Sequence, residues 1–132
     1  MDATQSKTLE GNYALEIKSA SGHTIIADEP EDLGGQNKGM SPYELIAAAL
    51  AACTSATLEM YAQKKEWDLK GVKTNIKVIQ GDRPADLPSI HREIELEGEL
   101  DSKQKERLMT IANKCPIHKL LTGQIEINSE MR

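Results

Sequence analysis

The chain has 132 residues, 39% hydrophobic and 28% charged, which is enough apolar material for one ordinary globular domain and rules out a disordered polymer. Its net charge is −5 and its 16 Lys and Arg are scattered, so the basic footprint of a nucleic-acid binder is missing. Residues 1–10 carry neither an apolar segment nor an Arg-rich amphipathic pattern, so no signal or transit peptide is read and a cytoplasmic location is expected.

Phe is absent and aromatics make up only 3%, which leaves an aliphatic, Ala-rich core that is thin for the length. A subunit interface would add the buried apolar surface that a small chain lacks, so a dimer is expected.

In chain order, the alternating Tyr13, Leu15 and Ile17 within residues 8–20, followed by residues 22–27 across the Ser21-Gly22 turn, predict a β-hairpin. Residues 28–39 are acidic and Gly-rich without periodicity, which predicts a loop. Ser41-Pro42-Tyr43-Glu44 predicts a helix start, with Ser41 as N-cap, Pro42 in the first turn and Glu44 closing a capping box. No residue from 45 to 58 is charged, so the helix is expected to be buried on every side. That uncharged stretch is shorter than a bilayer span, and no membrane partner is expected. The helix is expected to run on to Lys65, with Trp67 as an anchor beyond it.

Strands are predicted at residues 71–80 and 90–100, joined by a loop containing Pro84 and Pro88. Asp101 or Ser102 caps a second helix reaching Asn113, with Leu108, Met109, Ile111 and Ala112 on its inner face. Cys115-Pro116 interrupts it, residues 117–121 form a further turn or two ending near Gly123, and residues 124–129 alternate as a closing strand. The order β-β-α-β-β-α-α-β is an α+β pattern in a single domain over residues 1–132.

A permanent disulfide between the two cysteines would be unusual in a reducing compartment, whereas a transient catalytic one would not. Cys53 sits mid-helix beside Ala51, Ala52, Thr54 and Ser55, whose small side chains leave room around its sulfur. By itself it also reads as a small buried hydrophobe. Cys115 follows Lys114 and precedes Pro116 at the first turn of a new helix, where unpaired N–H groups and an ammonium favour the thiolate. His118 lies three residues on, on the same helical face, with its imidazole in reach of the sulfur. The same Cys-Pro-Ile-His reads equally as a helix boundary with a surface His. Two Cys and three His without a close-spaced Cys pair do not make a zinc site, so no metal is expected. A base and orienting partner for a Cys protease are not singled out either.

Taken together, residues 41–54 (Ser-Pro-Tyr-Glu-Leu-Ile-Ala-Ala-Ala-Leu-Ala-Ala-Cys-Thr) and 114–118 (Lys-Cys-Pro-Ile-His) resemble the two cysteine motifs of the OsmC/Ohr superfamily. The strand end Glu97-Gly98-Glu99-Leu100, the helix after it and the closing strand follow in the order the superfamily has. The resemblance implies an intertwined α+β homodimer in which strands from both chains enclose a pair of central helices. It also implies a thiol peroxidase for organic hydroperoxides or hydrogen peroxide, with Cys53 as peroxidatic nucleophile and Cys115 as resolving thiol. The sulfenic acid formed on the first would condense with the second to a disulfide, which a lipoyl or thioredoxin-like dithiol reduces; no prosthetic cofactor is implied.

Peroxidase members of the superfamily carry a Glu ten positions before the first Cys and an Arg earlier in the chain. Here the tenth position holds Tyr43, and Glu44 stands nine before Cys53, a one-residue shift of about 100° around a helix; nine residues of helix put Glu44 about 13 Å along the axis from its own Cys53. Only a Glu44 from an antiparallel partner helix would approach Cys53. The four arginines, Arg83, Arg92, Arg107 and Arg132, all follow Cys53. The chain thus resembles the general OsmC-like branch more than the dedicated organic hydroperoxide resistance enzymes. A second reading stands beside the first: a non-catalytic OsmC-like dimer that binds a small apolar ligand at the subunit interface, with the cysteines as pocket lining.

Overall fold

The computed structural model describes residues 3–132. The chain divides into two compact units, Met1–Ile46 and Ala47–Arg132.

The first unit holds an antiparallel sheet of β1 (Gln5–Thr8), β2 (Leu15–Lys18) and β3 (Thr24–Ala27), with β2 in the middle. β2 and β3 are the expected hairpin, in register from Leu15↔Ala27 to Lys18↔Thr24. Its turn closes through Gly22, at φ 96°, whose N–H donates to Ser19 O at 3.0 Å. β1 has no hydrophobic alternation and all four of its residues are exposed. Backbone pairing to β2 holds it, a bond that side-chain pattern does not announce.

After β3 the acidic segment winds around the carboxylate of Asp28, which is 3% exposed. That carboxylate accepts the N–H groups of Glu29 (2.8 Å), Gln36 (3.2 Å) and Lys38 (3.1 Å). The N–H of Lys38 is the first of these that hold its pKa below the ordinary value. A short 3-10 turn, Glu31–Leu33, lies inside the loop. The return passes Ile26 so closely that a Cβ at Gly39 would lie 2.0 Å from the Ile26 carbonyl oxygen, which explains the glycine.

Helix α1, Pro42–Lys65, begins at the capping box as expected. Ser41 N–H donates to Glu44 Oε1 at 3.0 Å and Glu44 N–H to Ser41 Oγ at 3.3 Å, and the Ser41 N–H in particular holds the Glu44 carboxyl below its ordinary pKa. The expectation of burial on every side is corrected: only the stripe Leu50, Thr54, Leu58 and Ala62 is buried, while Tyr43, Ile46 and Met60 are exposed. A single chain covers one stripe of a cylinder, whatever the composition of the rest. At 24 residues the whole helix is also long and apolar enough to cross a membrane by length and composition, which the uncharged segment alone is not.

In the second unit β4 (Asp68–Ile79) pairs antiparallel with β5 (Ser89–Glu99), in register from Asp68↔Glu99 to Ile79↔Ser89. A lone hairpin is marginal in water, so this one depends on what covers its inner row. Leu69, Val72, Ile94 and Leu96 of that row pack on Leu58 of α1 and on Leu108, Ile111 and Ala112 of α2 (Ser102–Ala112). Tyr61 and Trp67 add an edge-to-face pair with centroids 5.5 Å apart beside the same core. The outer row carries charge instead, including Lys73 Nζ at 3.1 Å from Glu97 Oε1. Asp101 caps α2 with Gln104 in a reciprocal box, and α3 (Pro116–Thr122) follows after a three-residue break.

The expected closing strand at residues 124–129 is not formed. Residues 124–132 have no regular structure, and Ile125 and Ile127 are exposed. Alternation supplies a strand with a face, but a strand also needs a hydrogen-bonding neighbour, and the described chain places none beside this segment.

Candidate functional site

Cys53 lies on α1 one residue before the buried Thr54 and is itself half-buried, beside an exposed Ala52. Its Sγ is 4.0 Å from Thr57 Oγ1, one turn on. Cys115 is fully buried. Two tight backbone bonds, Lys114 N–H to Ile111 O (2.9 Å) and Cys115 N–H to Ala112 O (3.3 Å), end α2 and turn the chain into α3. Cys115 is the N-cap of α3, with Pro116 behind it in the position where a missing N–H costs nothing. Its Sγ accepts the backbone N–H of His118 at 3.4 Å. The sequence placed the imidazole of His118 near the sulfur; among the described hydrogen bonds it is the main chain that meets it.

The two cysteines are free thiols whose neighbours come together twice. Thr57, one turn past Cys53, and Pro116, next to Cys115, line one open hollow of about 760 Å³ with Met60, Tyr61 and Ile111. The phenol of Tyr61 accepts Arg107 Nε–H at 3.0 Å, which lowers its pKa below the ordinary value and adds a polar group to a rim that also carries Thr57, Gln63 and Lys64.

The second junction is Arg92. The guanidinium Nη1 donates to Thr54 Oγ1 at 3.0 Å and to Ala112 O at 3.4 Å, and Nη2 donates to Asn113 Oδ1 at 2.9 Å. It therefore ties the α1 residue after Cys53 to the end of α2 just before Cys115. Sequence reasoning counted Arg92 only as an arginine on the wrong side of Cys53. The available signal was its phase: Ile90, Arg92, Ile94 and Leu96 share the inward face of β5, while His91, Glu93, Glu95 and Glu97 are exposed. Glu44, by contrast, serves its own helix cap. Among the described residues no group of three or more His, Cys, Asp or Glu is placed to hold a metal ion.

An α+β domain that sets two thiols at the middle of one helix and the cap of another defines a class of small thiol proteins. Comparison gives the family: the profile of OsmC-like protein matches residues 35–130, and the chain belongs to that family. A hydroperoxide reductase of Mycoplasma pneumoniae is 31% identical over 98 residues, covering 69% of this chain and 70% of that protein. The crystal structure of a Psychrobacter arcticus protein assigned to osmotic stress and detoxification responses superposes with a TM-score of 0.80 at 26% identity, over 91% of this chain and 88% of that one. An OsmC-like protein of Mycoplasma pneumoniae superposes at 0.77 with 22% identity, over 92% and 86% of the two chains.

Proposed function

We propose that this protein is a thiol-dependent peroxidase acting on organic hydroperoxides or hydrogen peroxide, and that it works as a homodimer with the chain as one OsmC-like domain. The observation that carries the reading is the asymmetry of the two thiols: Cys53 is half-buried on α1 while Cys115 is sealed in a helix cap, with their flanking residues on one hollow. The more accessible sulfur suits attack on peroxide and the sealed one suits resolution. The relative named hydroperoxide reductase supports the same chemistry.

The Cys53 thiolate attacks the terminal peroxide oxygen; the O–O bond breaks, Cys53 becomes a sulfenic acid, and the departing alkoxide takes a proton to leave as alcohol. Cys115 thiolate then attacks the sulfenic sulfur, forming the disulfide and releasing hydroxide. A dithiol donor, lipoyl or thioredoxin-like, returns both to thiols and is itself oxidised.

Exposure to one equivalent of cumene hydroperoxide is expected to give an intramolecular Cys53–Cys115 disulfide by mass spectrometry, and Cys53→Ser is expected to lose turnover with dithiothreitol. Thiols that stay free after the peroxide would sink the proposal. The second reading, a non-catalytic dimer binding a small apolar ligand between subunits, is favoured by Tyr43 standing where peroxidase members have Glu. It is the reading left if the wild-type protein and both Cys→Ser variants turn over peroxide equally poorly.

A further inference from the structure

A second cavity, of about 420 Å³, lies on the second unit and is lined from α1, β5, α2 and α3. Its lining combines Leu50, Ile90 and Leu121 with Arg92, Asn113 and His118. Pockets of this size with apolar walls and a few convergent polar groups suit small molecules.

Arg92 is the informative member. Its three hydrogen bonds all go to neutral acceptors: a hydroxyl, a backbone carbonyl and a side-chain amide. A guanidinium has five N–H groups, so Nε–H and one N–H of Nη2 are left without an acceptor among the described residues. No carboxylate among those residues forms an ion pair with it. Carboxylates are not scarce, since the chain has a net charge of −5 and β5 itself bears Glu93, Glu95, Glu97 and Glu99. The pleat turns Glu93, Glu95 and Glu97 to the opposite face. The fold thus holds a half-buried, permanently charged fork beside apolar walls, keeps its own acids away from it, and leaves its unbonded Nε–H within reach of an anion from solvent.

We propose that this cavity binds a small monocarboxylate with a short apolar tail, the carboxylate on the free N–H groups of Arg92 and the tail against Leu50, Ile90 and Leu121. A planar carboxylate matches the fork in shape, and its single charge balances the single guanidinium, whereas a phosphate dianion would overcompensate it.

The test titrates the reduced, full-length protein with octanoate and with 1-octanol, by calorimetry and by the arginine Nε–H resonances in ¹⁵N NMR. Octanoate is expected to bind at least about tenfold more tightly than octanol, the ratio a charge-assisted pair supplies, and to shift one Nε–H resonance. Arg92→Lys, which removes that resonance, assigns it. Arg92→Met is expected to abolish the preference for the acid, and Leu121→Phe to weaken both ligands together. Equal binding of acid and alcohol, absence of octanoate binding at millimolar concentration, or undiminished binding to Leu121→Phe overturns the proposal, even if Arg92→Met fails to fold. No peroxide is present, so the result is separate from the fate of the Cys53–Cys115 reading.

Discussion

Thr54 has a completely buried hydroxyl with both of its hydrogen-bonding capacities used: it donates to Leu50 O at 2.7 Å and accepts from Arg92 Nη1 at 3.0 Å. Replacement by the near-isosteric Val keeps the volume but strands one guanidinium N–H. Thr54→Val is therefore expected to cost about 1–3 kcal/mol in urea unfolding, more than a methyl-for-hydroxyl exchange on a helix surface. Cys115 poses the complementary case, a buried thiol doing the work of a cap. Ser at this position keeps an acceptor for the His118 N–H and Ala does not, so Cys115→Ala is expected to unfold more easily than Cys115→Ser by about 1 kcal/mol. If the two variants unfold alike, the sulfur contact has no capping value.

Among the elements, α2 is the one that closes the core. Leu108, with no exposed surface, packs between α1 and the inner row of the β4–β5 sheet. Leu108→Ala removes transfer energy and leaves a cavity, with an expected loss of about 2–5 kcal/mol measured by chemical denaturation. The loop after β3 is held by charge instead of by apolar packing. Asp28 has a pKa lowered from its ordinary 3.8 by three backbone N–H groups, that of Lys38 first. A carboxyl lowered on folding contributes stability that is fully present above its unfolded pKa and lost as pH falls through the folded one. Exchange protection of the Gln36 and Lys38 amides is thus expected to fall in acid below about pH 4, and in Asp28→Asn to be low and independent of that titration.

For the molecule as a whole, the uncovered surface of α1 and the unpaired tail bear on the proposed homodimer. Tyr43, Ile46 and Met60 on α1 and Ile125 and Ile127 in the tail are exposed in the single chain. An aliphatic core that is thin for its length gains stability by burying such surface between copies. Sedimentation equilibrium is expected to give twice the 14.5 kDa chain mass, and Ile46→Lys to shift the protein toward monomer. A monomeric wild-type protein at micromolar concentration would remove the dimer from the proposed function.

What the sequence determined by itself was local. The Ser41–Glu44 capping box, the cap at Asp101 or Ser102, the Gly22 turn, the alternating strands and the break at Cys115-Pro116 are written in residue types within a few positions of one another, because caps, turns and pleats are short-range physics. The two motifs that led to the family are of the same kind. The tertiary structure decided the rest: that β1 exists through pairing alone, that residues 124–129 lack a partner, that α1 buries one stripe, and that Arg92 stands between the segments bearing the two thiols. Each depends on which distant segment supplies a neighbour, and a hydrogen bond between Arg92 and Thr54 is not encoded at either position taken singly. Cys53 and Cys115 were legible as a candidate pair. That Cys115 is sealed while Cys53 is only half-buried was settled by the packing around them.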